Sequence, residues 1–229
     1  MALILRTGAI FLHVPKTGGT WVAQVLCELG LVEGEIGHKH ADVDRVLYPR
    51  ENWREGLRYW FDRARGWDAR REKPFMFCFV RHPLDWYESW YKYHSAGGSH
   101  AWSGNGDGRS LWKWSPCAAL DGTGDAEFNR FVANAIRKCP GFVTQLYARY
   151  TTDHVDFVGR YETLYEDLIR VLRLIGAECD AHRVRAHPAA NRSVSPARPI
   201  AWDPALREEL VRLEYAALVR YAYARSESV

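Results

Sequence analysis

"AIFLHVPKTGGTW", residues 9–21, is the stretch on which the fold turns. Four apolar residues, Ala9 to Leu12, run into a turn built from Lys16, Thr17, Gly18, Gly19 and Thr20, and apolar residues then recur at helical spacing. Ala9 to Val14 is predicted as a buried strand and Thr20 to Leu29 as the helix that follows, closed by Gly30. A strand that feeds a turn and then a helix brings backbone N–H groups and a positive helix end to one point, ready for an anion. Gly18 and Gly19 admit a ligand to the backbone with no Cβ in the way, and Thr20 adds a hydroxyl. The nucleoside triphosphate loop needs G-x-x-x-x-G-K-[ST]. Here the lysine stands before the glycines, where it reaches over an anion rather than sitting beneath it. Taken alone, the segment also reads as a strand-to-helix turn with ordinary capping.

Working outward, Phe75 to Val80 is an unbroken apolar run, the pattern of a central parallel strand covered on both faces. Pro83 suits the first turn of a helix that runs to about Tyr93. Val155 to Gly159 reads as a further strand, and Glu162 to Ile175 as a helix closed by Gly176. Asp203-Pro204 caps a last helix with Leu206, Leu210, Leu213, Ala217 and Tyr221 on one face. Between Asn52 and Gly66 a helical stripe is formed by Trp53, Leu57, Trp60, Phe61 and Ala64. Strand, loop and helix alternate, so the expected fold class is α/β, with a mainly parallel central sheet flanked by helices. One domain over residues 1–229 is expected, with a glycine-rich lid or insertion at about 96–124.

Composition narrows the partners. The chain has 229 residues, 47% hydrophobic and 26% charged, the balance of a globular protein with one sizeable core. A net charge of +3 gives no reason for a nucleic-acid partner. Charge is concentrated locally: Arg45 to Lys73 holds nine basic and five acidic residues, either a surface for an anionic ligand or a solvated helix face. Five cysteines without C-x-x-C spacing argue against a disulfide framework. Cys78, inside an apolar run, reads as a core residue. No stretch reaches the roughly 18 apolar residues of a membrane span, and MALILRTG carries a charge where a signal peptide needs its apolar stretch. The expected compartment is the cytoplasm.

"FVRHPLDWYESWYKY", residues 79–93, sets Arg81 at the end of the second apolar strand and Ser89 two turns up the next helix. A guanidinium there is a natural phosphate fork, and the hydroxyl adds a donor. The alternative pairs Arg81 with Asp85 or Glu88 and leaves Ser89 packing.

Together the two segments resemble the sulfotransferases that use 3′-phosphoadenosine 5′-phosphosulfate (PAPS) as donor. The family's 5′-phosphosulfate loop, P-K-[ST]-G-[GT]-T-W, matches Pro15-Lys16-Thr17-Gly18-Gly19-Thr20-Trp21, and its 3′-phosphate motif, Arg followed eight residues on by Ser, matches Arg81 and Ser89. "VGRYETLYEDL", residues 158–168, is similar to the family's Tyr-Glu segment, which implies that Tyr161 touches the adenine. "NRSVSP", residues 191–196, lies where related enzymes bring a polar segment onto the donor, making Arg192 and Ser193 candidates. The resemblance implies a nucleotide-kinase-like fold, with PAPS as donor and PAP as product. Lys16 would stand beside the oxygen that bridges phosphorus and sulfur, where leaving-group charge develops. No metal is expected, because the donor carries no triphosphate. The expected acceptor is a small molecule or a carbohydrate, with a peptide also open. Two rivals are a phosphoryl-transfer enzyme on the same fold and a non-catalytic nucleotide-binding protein.

An acceptor hydroxyl must lose its proton, and histidine is the usual base near neutral pH. "GHKHADVD", residues 37–44, offers His38 and His40, which point the same way if the segment is extended. It lies between the two donor motifs, where family members carry their catalytic histidine or glutamate. Lys39 would help to keep a neighbouring histidine neutral, and His40 is favoured over His38. A surface pair or a metal clip is the competing reading. His13 is expected to orient the loop. His94, His100, Trp102, Trp112 and Trp114 border the lid, where they either meet substrate or pack.

Overall fold

The computed structural model describes residues 2–48, 73–95, 114–188 and 200–224. The chain divides into two compact units, Met1–Val80 with Ala148–Asn191, and Arg81–Tyr147 with Arg192–Val229.

The first unit holds a five-stranded sheet. In chain order its strands are β1 (Ala2–Leu5), β2 (Ile10–Leu12), β3 (Val32–Ile36), β4 (Met76–Val80) and β5 (Phe157–Arg160), arranged β3-β1-β2-β4-β5. Strand β4 is buried throughout and pairs in parallel with both neighbours, Phe11 facing Phe77 and Cys78 facing Val158 in register. Cys78 is a core residue as expected.

The sheet is mixed rather than mainly parallel. Strand β1 runs antiparallel to both β2 and β3. The start of the chain folds back because Gly8, at φ 80, closes a tight turn: Gly8 N–H donates to the Leu5 carbonyl and Leu5 N–H to that of Ala9, each at 2.8 Å. A hairpin of this size makes antiparallel neighbours, whereas a parallel pair needs a long crossover.

The helices of this unit are α1 (Gly19–Glu28), the short α2 (Val43–Leu47), and, after the second unit's helices α3–α5, α6 (Leu164–Leu174) and α7 (Ala181–Ala186). Trp21, Val22, Val25 and Leu26 of α1, with Leu168, Ile169 and Leu172 of α6 and Val184 of α7, pack on Leu3, Leu5, Phe11, Phe77 and Phe79 of the sheet in one buried cluster. Gly30 and Gly176, both with positive φ, end α1 and α6 as the sequence predicts.

All regular structure described in the second unit is helical: α3 (Pro83–Ser95), a 310 turn at Ala118–Leu120, α4 (Phe128–Lys138), α5 (Phe142–Ala148, whose last residue falls in the first unit), α8 (Pro204–Leu213) and α9 (Tyr215–Arg220). Asp203 caps α8, its carboxylate accepting from Ala205 and Leu206 N–H. The expected single last helix is broken at Glu214, which is fully buried. Its carboxylate accepts from Tyr87 Oη (2.9 Å), Val143 N (3.0 Å), and Thr144 N and Oγ1 (both 2.7 Å). It thereby caps the first turn of α5 and ties α3 to the last helices. The helical stripe at 52–66 and the residues 96–113 of the expected lid lie outside the described residues. Residues 114–124 pack on α4, where Asn134 Nδ2 donates to the Thr123 carbonyl at 3.2 Å.

Glu214→Ala should leave four donors without their acceptor, two of them buried and two part-buried, a loss of at least about 3 kcal/mol given the cost of each orphaned group. Tyr87→Phe, which removes one donor, should cost much less. Urea unfolding curves compare the two, and equal midpoints would remove Glu214 as the hub of this unit.

Candidate active site

The turn between β2 and α1 is shaped by two left-handed residues, Lys16 at φ 64 and Gly18 at φ 82. Left-handed backbone is uncommon for a residue with a side chain, and its cost is tolerated most often at ligand sites. Thr17 is buried and its hydroxyl donates to the Val14 carbonyl at 3.0 Å, so that proton is spent inside the turn. Gly18 caps α1 with no side-chain hydrogen bond, and the first turn carries no acidic residue. No side chain at the cap satisfies the leading amides of this ten-residue helix, whose positive end is of the kind that favours an anion. Thr20 is partly exposed on that turn.

Both glycines are required by their neighbours. A Cβ on Gly18 would lie 2.8 Å from Leu164 Cδ2 and 3.0 Å from Tyr161 Cδ2, so the Tyr161 ring lies against the turn. A Cβ on Gly19 would overlap the His13 imidazole. Tyr161 opens the 310 turn after β5 and is 39% exposed, leaving ring surface for a ligand. Asp167 fixes this second strand-to-helix turn, accepting from Arg160 N at 2.8 Å and Thr163 Oγ1 at 2.6 Å. Trp21 is placed differently from the rest of its motif: it is buried in the core, edge-on to Tyr165 (4.7 Å between centroids) and His187 (5.8 Å).

The histidine segment is a turn, not an extended strand, with Ala41 N–H donating to the His38 carbonyl at 2.9 Å. The two imidazoles consequently have different surroundings. His40 meets His13 edge-to-face at 4.8 Å, and its Nδ1 lies 3.0 Å from the His13 carbonyl. A carbonyl only accepts, so the proton of the neutral ring sits on Nδ1 and Nε2 keeps a lone pair. Burial pulls the His40 pKa from 6.5 down to about 4; the His13 bond opposes this, while Lys39 and His38 add to it. His13 is also held well below its ordinary range, by burial first and then by His40 and Lys39. His40 is therefore a neutral proton acceptor at pH 7, and Lys39 acts in the direction expected of it. His38 lies farther out, 6.4 Å from the His40 ring.

Arg81 and Ser89 belong to the second unit. Arg81 is the first residue after β4, and its backbone is gripped twice by the fully buried Tyr147: its N–H donates to Tyr147 Oη at 3.1 Å, and that hydroxyl donates to its carbonyl at 2.8 Å. Ser89 is buried on α3. Glu88 is engaged by Lys92 Nζ at 3.1 Å and Trp202 Nε1 at 2.9 Å. His94 is buried against Trp90, at 4.3 Å between centroids. Arg192, Ser193, His100, Trp102 and Trp112 lie outside the described residues. Among the described residues, no group of three His, Cys, Asp or Glu is arranged to hold a metal ion.

Sequence reading missed Tyr147, Tyr150 and Asp167. Val143, Leu146, Tyr147 and Tyr150 stand at i, i+3, i+4 and i+7, the stripe of a buried face, and a buried tyrosine hydroxyl needs a partner. That spacing was the available signal.

Gly19→Ala should disrupt the turn by forcing the His13 ring aside, at a cost of about 1–3 kcal/mol. His13→Ala should relieve much of that overlap, so the double variant should be more stable than the summed single losses. Strict additivity in thermal unfolding would show that the two residues do not compete for space.

No significant match to the chain was found among curated proteins or among solved structures. A family model does match, over residues 6–223, nearly the whole chain and both segments that carry the anion-binding pattern. The chain belongs to the sulfotransferase family.

Proposed function

We propose that this sulfotransferase takes its sulfuryl group from PAPS and passes it to a hydroxyl or amine on a small molecule, carbohydrate or peptide, releasing PAP. The observation that carries the reading is the pairing of an uncapped α1 terminus behind Lys16 with a neutral His40 whose Nε2 is free of a proton. The turn fits a 5′-phosphosulfate: glycines stand where side chains would close it, and the Tyr161 ring borders it for an adenine. Arg81 and Ser89 would take the 3′-phosphate, with Arg192 and Ser193 adding to the donor site, a role supported by motif spacing. Five free thiols fit a reducing compartment such as the cytoplasm, and among the described residues no helix is long and apolar enough to cross a membrane.

In this mechanism Nε2 of His40 takes the acceptor's proton as the new bond from acceptor oxygen or nitrogen to sulfur forms. The bond from sulfur to the bridging oxygen breaks, and PAP leaves with that electron pair. Charge on the bridging oxygen rises through the transition state, where the Lys16 ammonium stabilises it more than in the ground state. His38 is the second candidate for the base; its Nδ1 accepts from the His40 backbone N–H at 3.4 Å.

Calorimetry in the presence of chelator should show PAP binding more tightly than AMP or ATP. Arg81→Ala should bring PAP down towards AMP. Equal affinity of wild type for PAP and AMP would remove Arg81 and Ser89 from the 3′-phosphate.

Transfer from labelled PAPS across a panel of sugars, phenols, alcohols and tyrosine peptides tests the chemistry. His40→Ala should keep PAP affinity and lose turnover by about 10²-fold or more. The base must be unprotonated, so the rate should fall as pH drops through the His40 pKa of about 4 and stay level to neutrality. An acid limb at about 6.5, or full turnover in His40→Ala, would pass the role to another group, His38 first.

A further inference from the structure

The two tyrosines missed by the sequence reading lie three residues apart, at the end of α5 and just beyond it, and both are fully buried. Their hydroxyls do not serve the core. Tyr147 Oη holds both backbone groups of Arg81, at 3.1 and 2.8 Å. Tyr150 Oη donates to the backbone carbonyl of His40. Each grip falls within one compact unit, Arg81 with Tyr147 in the second and His40 with Tyr150 in the first. Tyr150 is itself anchored, its carbonyl accepting from Cys78 Sγ in β4 at 3.3 Å, and Val43 N–H reaches the neighbouring Arg149 carbonyl at 3.3 Å.

A buried hydroxyl with its aromatic ring locked in the core is a stiff point from which to fix a backbone. A side chain on a turn is aimed by its own backbone, so holding the carbonyl of His40 fixes where the ring starts, and the His13 carbonyl fixes where it points. The same logic applies to Arg81, whose guanidinium is aimed from a backbone clasped on both sides.

We infer that Tyr147 and Tyr150 are positioning residues, Tyr147 setting Arg81 for the donor's 3′-phosphate and Tyr150 setting His40 for proton transfer. The inference rests on the PAPS and His40 assignments above, but each tyrosine has a readout that does not need turnover.

Removing only the hydroxyls, with Tyr147→Phe and Tyr150→Phe, should separate the two roles. Burial disfavours protonation of His40 most, the bond to the His13 carbonyl opposes this, and Lys39, the charge of the amino terminus and His38 add to the burial effect. In wild type its ring resonances, assigned against His40→Ala, should stay at the neutral position between about pH 8 and 5. Tyr150→Phe should loosen the turn, admit water and move the His40 midpoint up into that window, leaving PAP affinity unchanged. Tyr147→Phe should weaken PAP binding by up to about tenfold, the worth of one lost hydrogen bond, with affinity for AMP and the His40 titration unmoved. A lowered unfolding midpoint in both variants, with wild-type titration and wild-type PAP affinity, would make both residues merely structural and overturn the proposal. A shifted titration in Tyr150→Phe together with full turnover in His40→Ala would uphold the grip on His40 and overturn the base assignment instead.

Discussion

The His13 imidazole occupies the space that a side chain on residue 19 would need. That single exclusion organises the first unit. His13 follows β2, Gly19 begins α1, and the ring between them sets how closely helix and strand approach at the turn. The same residue offers its carbonyl to His40 Nδ1 and its ring to the His40 edge. The turn's geometry and the tautomer of His40 are thus fixed by two ends of one residue. A change at His13 would reach both at once, while a change at His38 would not.

Electrostatics in this region follow from the same packing. Burial keeps His13 and His40 neutral, with Lys39 on the turn between His38 and His40 pushing in the same direction. A proton acceptor with a pKa of about 4 is a weak base, but it is always available at pH 7. In the proposed mechanism the lysine before the glycines would supply the opposite need, a fixed positive charge where the leaving group becomes negative.

The second unit uses a different device. Its helices meet at a buried carboxylate, Glu214, which satisfies a tyrosine, a threonine hydroxyl and two helix amides. That carboxylate lies at the break between α8 and α9, in step with the buried Leu210 and Leu218. Orientation of α3, and with it the placement of Ser89, depends on polar groups that a hydrophobic pattern does not reveal.

The sequence by itself determined the strand-turn-helix at residues 9–29, the buried strand at Phe75 to Val80, the helix starts at Pro83 and Asp203, and the family. These are local signals, since apolar period, glycine and proline positions and cap residues act within a few positions of one another. It did not determine the mixed sheet. Ala2 to Leu5 is too short for a periodic signal, and its antiparallel pairing depends on a turn at Gly8 and on partners far along the chain. Nor did it separate His38 from His40, because alternation along an extended segment would place them alike, while the actual turn sends only His40 against the His13 carbonyl. Tyr147 and Tyr150 could be read as buried from their spacing, but what their hydroxyls hold lies 66 and 110 residues away. Contacts across such separations exist only once the sheet has assembled, so the tertiary structure alone decided them.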